Sequence, residues 1–343
     1  MGGWKVWLAF GKLECFVSSN SILRLIFVKT DCMNYLLILG GFALLILGGN
    51  WLLKAAVSLS LRLEIPKIVI GMTVVSFATS APELIVSLNA AMDGHPDIAL
   101  GNVIGSNIAN LGFVLGIVII VSTIQVEKSF YITDWPIMML SSVMLYGFLA
   151  TGGEIERWEG LILFSMLVVF LIYLLKFQKT AVVDEMPEDD ESLSLGPTLG
   201  YLIIGGVGLW SGSELLIEGA VNLATDFGVS KRIIGVTIIS IGTSIPELAA
   251  SLVAVVKKEK AISLGNLLGS NVFNVLAVVG ITSMVTPIKA NDQGLINFDV
   301  IWMLVFALMI FPLVFAPQRM KLSWKEGLIL LGTYVVFISM LIE

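Results

Sequence analysis

Two short stretches of this sequence end a run of hydroxyls with a carboxylate. Ser76, Thr79, Ser80 and Glu83 stand at i, i+3, i+4 and i+7, and Ser240, Thr243, Ser244 and Glu247 repeat the arrangement. On an α-helix that spacing brings all four side chains to one face. Two further stretches, Asn102–Ser106–Asn110 and Asn266–Ser270–Asn274, space amides and a hydroxyl by four. Carboxylate, hydroxyl, amide and carbonyl oxygen, with no thiol or imidazole, form a ligand set for hard cations; Ca2+ takes about 6–8 oxygens at roughly 2.3–2.6 Å. Na+ suits the same set, and soft transition metals do not.

Pro82 and Pro246 stand one residue before the two glutamates. A proline lacks an N–H and clashes with the carbonyl four residues back, which frees those of Ala78 and Gly242. The sequence therefore predicts helix breaks at both prolines that offer backbone oxygen to an ion. Gly101, Gly105, Gly265 and Gly269 would let the asparagine-bearing helices approach closely.

The elements that must hold these residues are membrane helices. Of the 343 residues, 57% are hydrophobic and only 13% charged, and the mean hydropathy is +0.95. Soluble domains are less apolar and about a quarter charged. Stretches of about 20 apolar residues span a bilayer, and ten are expected near 35–59, 66–92, 99–122, 135–151, 158–177, 198–223, 233–256, 261–285, 298–316 and 325–341. Glu83 and Glu247 fall near the middle of spans two and seven, where an uncompensated carboxylate costs roughly 2.5–3.5 kcal/mol. Spans two, three, seven and eight carry no Lys or Arg at matching depth, so a bound cation is the natural partner. Lys54 in span one and Glu214, Glu218 and Asn222 in span six form a separate polar set, either paired between helices or lining a water-facing groove.

Residues 1–34 form no clean span, because Lys5, Lys12, Glu14, Arg24, Lys29 and Asp31 interrupt them, and they lack the shape of a signal peptide. Met33 directly precedes the first good span and is the expected natural start. Cys15 and Cys32 both lie in this segment, so they describe no disulfide framework. Counted after Met33, one side of the membrane collects eleven Lys and Arg in its loops and the other only Arg157, Lys231, Arg232 and Lys289. The basic side is expected to be cytoplasmic, with mature termini outside. The net charge of −6 argues against nucleic acid as a partner.

Residues 70–116 match 234–280 at a constant offset of 164, with about half of the positions identical. IGMTVVSFATSAPELIVSLNA and IALGNVIGSNIANLGFVLG in the first copy face IGVTIISIGTSIPELAASLVA and ISLGNLLGSNVFNVLAVVG in the second. The identities fall on Gly, Thr, Ser, Pro, Glu and Asn, so a duplication explains them. The duplicated unit holds five spans, an odd number, so the second copy must enter the membrane inverted. Such inverted repeats place a substrate site where broken helices of both halves meet. The expected organisation is an N-terminal extension (1–34), a first repeat (35–177), an acidic linker (178–197) and a second repeat (198–343). DEMPEDDE in the linker lacks EF-hand spacing and reads as an inert solvated segment.

SxxTSxPE followed by GNxxGSNxxN, present once in each half, resembles the alpha repeats of the calcium/cation antiporter superfamily, in its prokaryotic sodium/calcium exchanger branch. The resemblance covers nearly all of 34–343. It implies an all-α membrane protein with ten transmembrane helices in two inverted five-helix repeats, exchanging Ca2+ for Na+ by alternating access. It further implies that Glu83 and Glu247 bind both ions, with hydroxyl ligands from Thr79, Ser80, Thr243, Ser244, Ser106 and Ser270. Backbone oxygens at Ser76 and Ser240, and the amides of Asn110 and Asn274, complete the implied set. Some relatives carry aspartate at the position of Asn274. Cation/proton exchangers of the superfamily usually carry GNxxE, whereas this chain has GNVIG and GNLLG, which favours Na+ as the coupling ion. Spans one and six are implied to slide across a fixed core; here they are long and matched, as LLKAAVSL (52–59) and LIEGAVNL (216–223) show.

The expected partners are Ca2+ and Na+, as transported substrates, and the lipid bilayer; neither a cofactor nor a protein partner is expected. The alternatives are Ca2+/H+ exchange and a passive cation channel. An intramembrane enzyme is excluded: one histidine, His95, allows no HExxH, and no thiol lies in a convincing span. His95 reads as an ordinary loop residue between Asp93 and Asp97, Thr73 and Thr237 as packing residues. Against the ion-binding reading stand structural acids at Glu83 and Glu247 and helix–helix hydrogen bonding by the serines and threonines.

Overall fold

A computed structural model describes residues 22–177, 193–228, 240–316 and 319–342. In chain order the helices are α1 (Ile22–Leu63), α2 (Lys67–Met92), α3 (Pro96–Val121), α4 (Phe130–Gly152), α5 (Arg157–Phe177) and α6 (Leu195–Asp226). There follow α7 (Ile245–Val256), preceded by a single turn Ser240–Gly242, then α8 (Lys260–Val285), α9 (Leu295–Phe315) and α10 (Trp324–Ile342). Among the described residues, nine helices are long and apolar enough to cross a membrane. The expected tenth span, 233–256, is described only from Ser240, and the linker 184–191 lies outside the described residues. Helix α1 begins at Ile22, eleven residues before Met33, so helical backbone continues into the segment whose charges deny it a clean span.

Burial separates an inner from an outer layer. In α8 and α3, 83% and 78% of the most apolar window is buried, against 33% in α1 and α5. Outer helices present Leu39, Phe42, Val169 and Ile203 outward, as a lipid-facing surface requires. The inner helices instead bury Ser106, Asn107, Asn110, Ser270, Asn271 and Asn274.

Two two-residue ladders reveal the relation between the halves. Strand β1 (Ile124–Gln125) follows α3, β2 (Glu154–Ile155) follows α4, β3 (Ile288–Lys289) follows α8 and β4 (Lys321–Leu322) follows α9. β1 pairs with β4, and β2 with β3. Helix α4 crosses between β1 and β2, so the two ladders sit at opposite ends of the bundle. Helix α3 therefore ends at one face and its repeat mate α8 at the other, and equivalent spans run in opposite directions.

Helices α1 and α6 pack antiparallel along glycines. A Cβ on Gly41 would come within 2.7 Å of Gly212 O, and one on Gly48 within 2.9 Å of Gly205 O. Gly41 and Gly205 are equivalent in the repeat, as are Gly48 and Gly212, so each position meets the other's mate. Helices α2 and α8 approach as closely: a Cβ on Gly265 would lie 2.4 Å from Ile68 O. Without an apolar driving force between helices in lipid, such backbone approach supplies the packing.

Lys54 does not pair with the acids of α6. It lies over the Tyr201 ring at 4.9 Å, and Glu214 is thirteen residues farther along α6, about 20 Å at 1.5 Å per residue. The antiparallel register puts Lys54 beside the start of α6 and the glutamates beside the stretch of α1 around Ile38 and Gly41.

Candidate cation-binding site

The two motif helices differ at their prolines. Pro246 occupies the first turn of α7, after a break at Thr243–Ser244, where its missing N–H costs nothing. Pro82 lies inside a helix continuous from Ser76 to Met92, so the expected break there does not form. A π-helical turn, Gly71–Val75, precedes that stretch and locally rewinds α2 upstream of the proline. The carbonyl freed by Pro246 is not left open: Ser213 of α6 donates to Gly242 O at 3.0 Å.

Glu83 and Glu247 are both fully buried. All four of their carboxylate oxygens lack a hydrogen-bond partner among the described residues, as do Ser80 Oγ, Ser244 Oγ, Asn274 Oδ1 and both polar atoms of the Asn110 amide. The two carboxylates lie close enough to repel one another, and the hydroxyls of Thr79, Ser270 and Ser80 stand near Glu247. Buried polar groups are almost always paired, and buried like charges are costly without compensation. Two such carboxylates, one from each half, brought together with hydroxyls beside them, fit a cation chemically.

Around these groups the structure builds a two-fold frame of hydroxyl pairs. Thr79 and Ser270 lie 3.2 Å apart, and their repeat mates Thr243 and Ser106 lie 3.1 Å apart. Each pair joins one half of the chain to the other, the second through the break at Thr243. The Ser76 hydroxyl lies 2.8 and 2.9 Å from the carbonyl oxygens of Gly71 and Asn266, which share its one hydrogen. The Ser76 carbonyl faces Thr79 Oγ1 at 3.3 Å. Ser240 belongs to the described backbone turn only; its side chain lies outside the described residues.

Asn102 and Asn266, which share a helix face with the motif residues, serve as struts. Asn102 Nδ2 donates to Ser87 Oγ at 2.9 Å, and Asn266 Nδ2 to Ser251 Oγ at 3.1 Å. Thr73 donates to Val69 O within its own helix, in keeping with a packing role, and Thr237 is outside the described residues. Sequence reasoning missed Asn107 and Asn271. Asn107 Oδ1 accepts from Asn274 at 3.1 Å while its amide donates to Asn271 O at 3.3 Å, tying α3 to α8. The signal was present, since both asparagines belong to the repeated GSN.

Among the described residues, no group of three or more His, Cys, Asp and Glu could hold a metal. Two buried carboxylates with hydroxyl oxygens near them are chemically suited to a hard cation.

Known proteins resemble the chain over most of its length. The family described as "Sodium/calcium exchanger protein" matches residues 33–176 and 197–343. The putative antiporter CaxA of Alkalimonas amylolytica is 36% identical over 306 residues, covering 87% of this chain and 95% of its own length. The inner membrane protein YrbG of Escherichia coli is 33% identical, covering 89% and 95%, and the sodium/calcium exchanger MaX1 of Methanosarcina acetivorans 27%, covering 90% and 98%. The solved structure of the sodium-calcium exchanger NCX_Mj soaked with 2.5 mM Na+ and 0.1 mM Ca2+ superposes with a TM-score of 0.75 at 27% identity, covering 89% of this chain and 97% of the other. The chain therefore belongs to the sodium/calcium exchanger family of multi-pass membrane antiporters.

Proposed function

We propose that this protein exchanges Ca2+ for Na+ through one site near the membrane midplane, opened alternately to either side. The observation that carries the reading is the convergence of Glu83 and Glu247, buried and without protein partners among the described residues, one from each half. Two ionised glutamates give the site a charge that one Ca2+ or two Na+ would neutralise. Closing apolar protein over the uncompensated pair is costly, so only loaded forms cross. That selection alone turns a binding site into an exchanger.

Thr79, Ser80, Thr243, Ser244, Ser106 and Ser270 supply hydroxyl oxygens in this reading. Backbone oxygens of Ser76 and Ser240, and the amides of Asn110 and Asn274, complete the cage. The halves 35–177 and 198–343 act as the two repeats, α1 and α6 slide across the core, and the linker 178–197 is cytoplasmic. Binding of a third Na+ would make each cycle electrogenic, at about 2.3 kcal/mol per charge per 100 mV.

Ca2+ flux in proteoliposomes with Na+, K+ and pH gradients imposed separately tests the reading. Uptake driven by Na+ alone is expected. Uptake driven by a pH gradient without Na+ would establish proton exchange, and flux independent of any counter-ion would establish a channel.

A further inference from the structure

Helix α6 grips the break before α7 through two residues one turn apart. Ser213, itself buried, donates to Gly242 O at 3.0 Å, and a Cβ on Gly242 would lie 2.5 Å from Ile217 Cδ1. The first half cannot repeat this arrangement, because Gly49 stands at the position of Ser213 and Ala78 at that of Gly242.

Helix α1 meets α7 elsewhere, beyond the break. A Cβ on Gly49 would lie 3.0 Å from Val253 Cγ2 and 3.5 Å from Ala249 O. In the repeat, Ala249 and Val253 correspond to Ile85 and Asn89 of α2. Two inverted halves reach the opposite-facing state by trading conformations, so α6 then takes toward α2 the place that α1 now has toward α7. Ser213 comes to lie against Ile85 and Asn89, and its bond to Gly242 O is broken. Gly49 comes in turn to the Ala78 carbonyl, which Pro82 deprives of its helical partner, and has no hydroxyl to offer.

We propose that Ser213 is a state-selective latch, fastening α6 to the core in this state while the matching bond is missing from the opposite-facing one. The inference rests on the exchange reading, with α1 and α6 as the moving pair. The two places open to Ser213 differ in worth. Gly242 O has lost its helical partner to Pro246, so the hydroxyl satisfies a group otherwise left bare. Ile85 O lies inside the helix Ser76–Met92, where a backbone N–H already serves it. The latch therefore weights the two states rather than choosing the ion, and Ser213 is a positioning residue.

The test is Na+-driven Ca2+ flux by the full chain in vesicles of uniform orientation, with Ca2+ varied on one face at a time. Apparent affinity at each face scales with the fraction of protein open to it, so the ratio of the two half-saturating concentrations follows the equilibrium between the states. Ser213→Ala is expected to change that ratio about fivefold. Gly49→Ser supplies the opposite state with the missing hydroxyl, and it is expected to move the ratio in the same direction. It should move it further than Gly49→Ala, which adds only a methyl group against Val253. An unchanged ratio in an active Ser213→Ala protein, Gly49→Ser moving the ratio the other way, or Gly49→Ser matching Gly49→Ala overturns the proposal. Should Ser213→Ala fail to assemble, the two Gly49 variants decide alone. Loss of Na+-driven flux in the unsubstituted protein would count against the exchange reading instead.

Discussion

Ser213 on α6 donates a hydrogen bond to the carbonyl oxygen of Gly242, 3.0 Å away, the group that Pro246 leaves without its helical partner. The contact fastens a long outer helix to the break that carries Thr243 and Ser244. Repeat symmetry puts Gly49 at the place of Ser213, so the first half has no such fastening. The helix that crosses Pro82 is also the one that stays continuous.

Ser213→Ala should loosen that joint. The expected loss is about 1 kcal/mol, in the range of interhelical hydrogen bonds in membranes. Thermal unfolding in detergent would register it as a lower Tm, and Na+-driven Ca2+ flux should fall with it. An unchanged flux and Tm would show the contact to be incidental.

Glu83→Gln or Glu247→Gln should abolish exchange. Each should also raise the Tm in buffer free of Ca2+ and Na+, because one of two mutually repelling buried carboxylates is gone. Added Ca2+ should stabilise the unsubstituted protein by about 2.7 kcal/mol at a hundred times its Kd and leave either variant nearly unaffected. Robust Ca2+ uptake by Glu83→Gln would refute the site.

Asn107→Leu removes the acceptor of Asn274 and the donor to Asn271 O. It should cost about 1–3 kcal/mol, since Asn274 Nδ2 is left buried and unpaired. If Asn107 only positions Asn274, half-saturation should shift while the choice of coupling ion is retained. Flux assays with Na+ and pH gradients compared side by side would show it.

Gly265→Val should be among the most damaging single changes, because the new Cβ meets the Ile68 carbonyl at 2.4 Å and backbone cannot step aside. Overpacking of about 1–3 kcal/mol or more is expected. Gly147→Ala, in α4 with nothing within 4 Å of the new Cβ, should be neutral or stabilising by up to about 1 kcal/mol. Thermal denaturation of the pair separates close approach from helix propensity.

The sequence by itself determined the duplication, the matching of Glu83 with Glu247 between its copies, and the placing of Glu83 on a helix face shared with Thr79 and Ser80. All of these follow from local periodicity and from comparing the chain with itself. Only the tertiary structure decided which face of which helix each residue meets. It paired Thr79 with Ser270 across the halves, turned the Ser76 hydroxyl onto α8, made struts of Asn102 and Asn266, and set Asn107 between Asn271 and Asn274. It also carried a helix through Pro82, kept Lys54 far from Glu214, and brought Ser213 to the neighbourhood of the site. The reason is geometric: a 3.6-residue period fixes a side chain's bearing on its own helix. The depth, rotation and neighbour of that helix are set by packing against others distant in sequence.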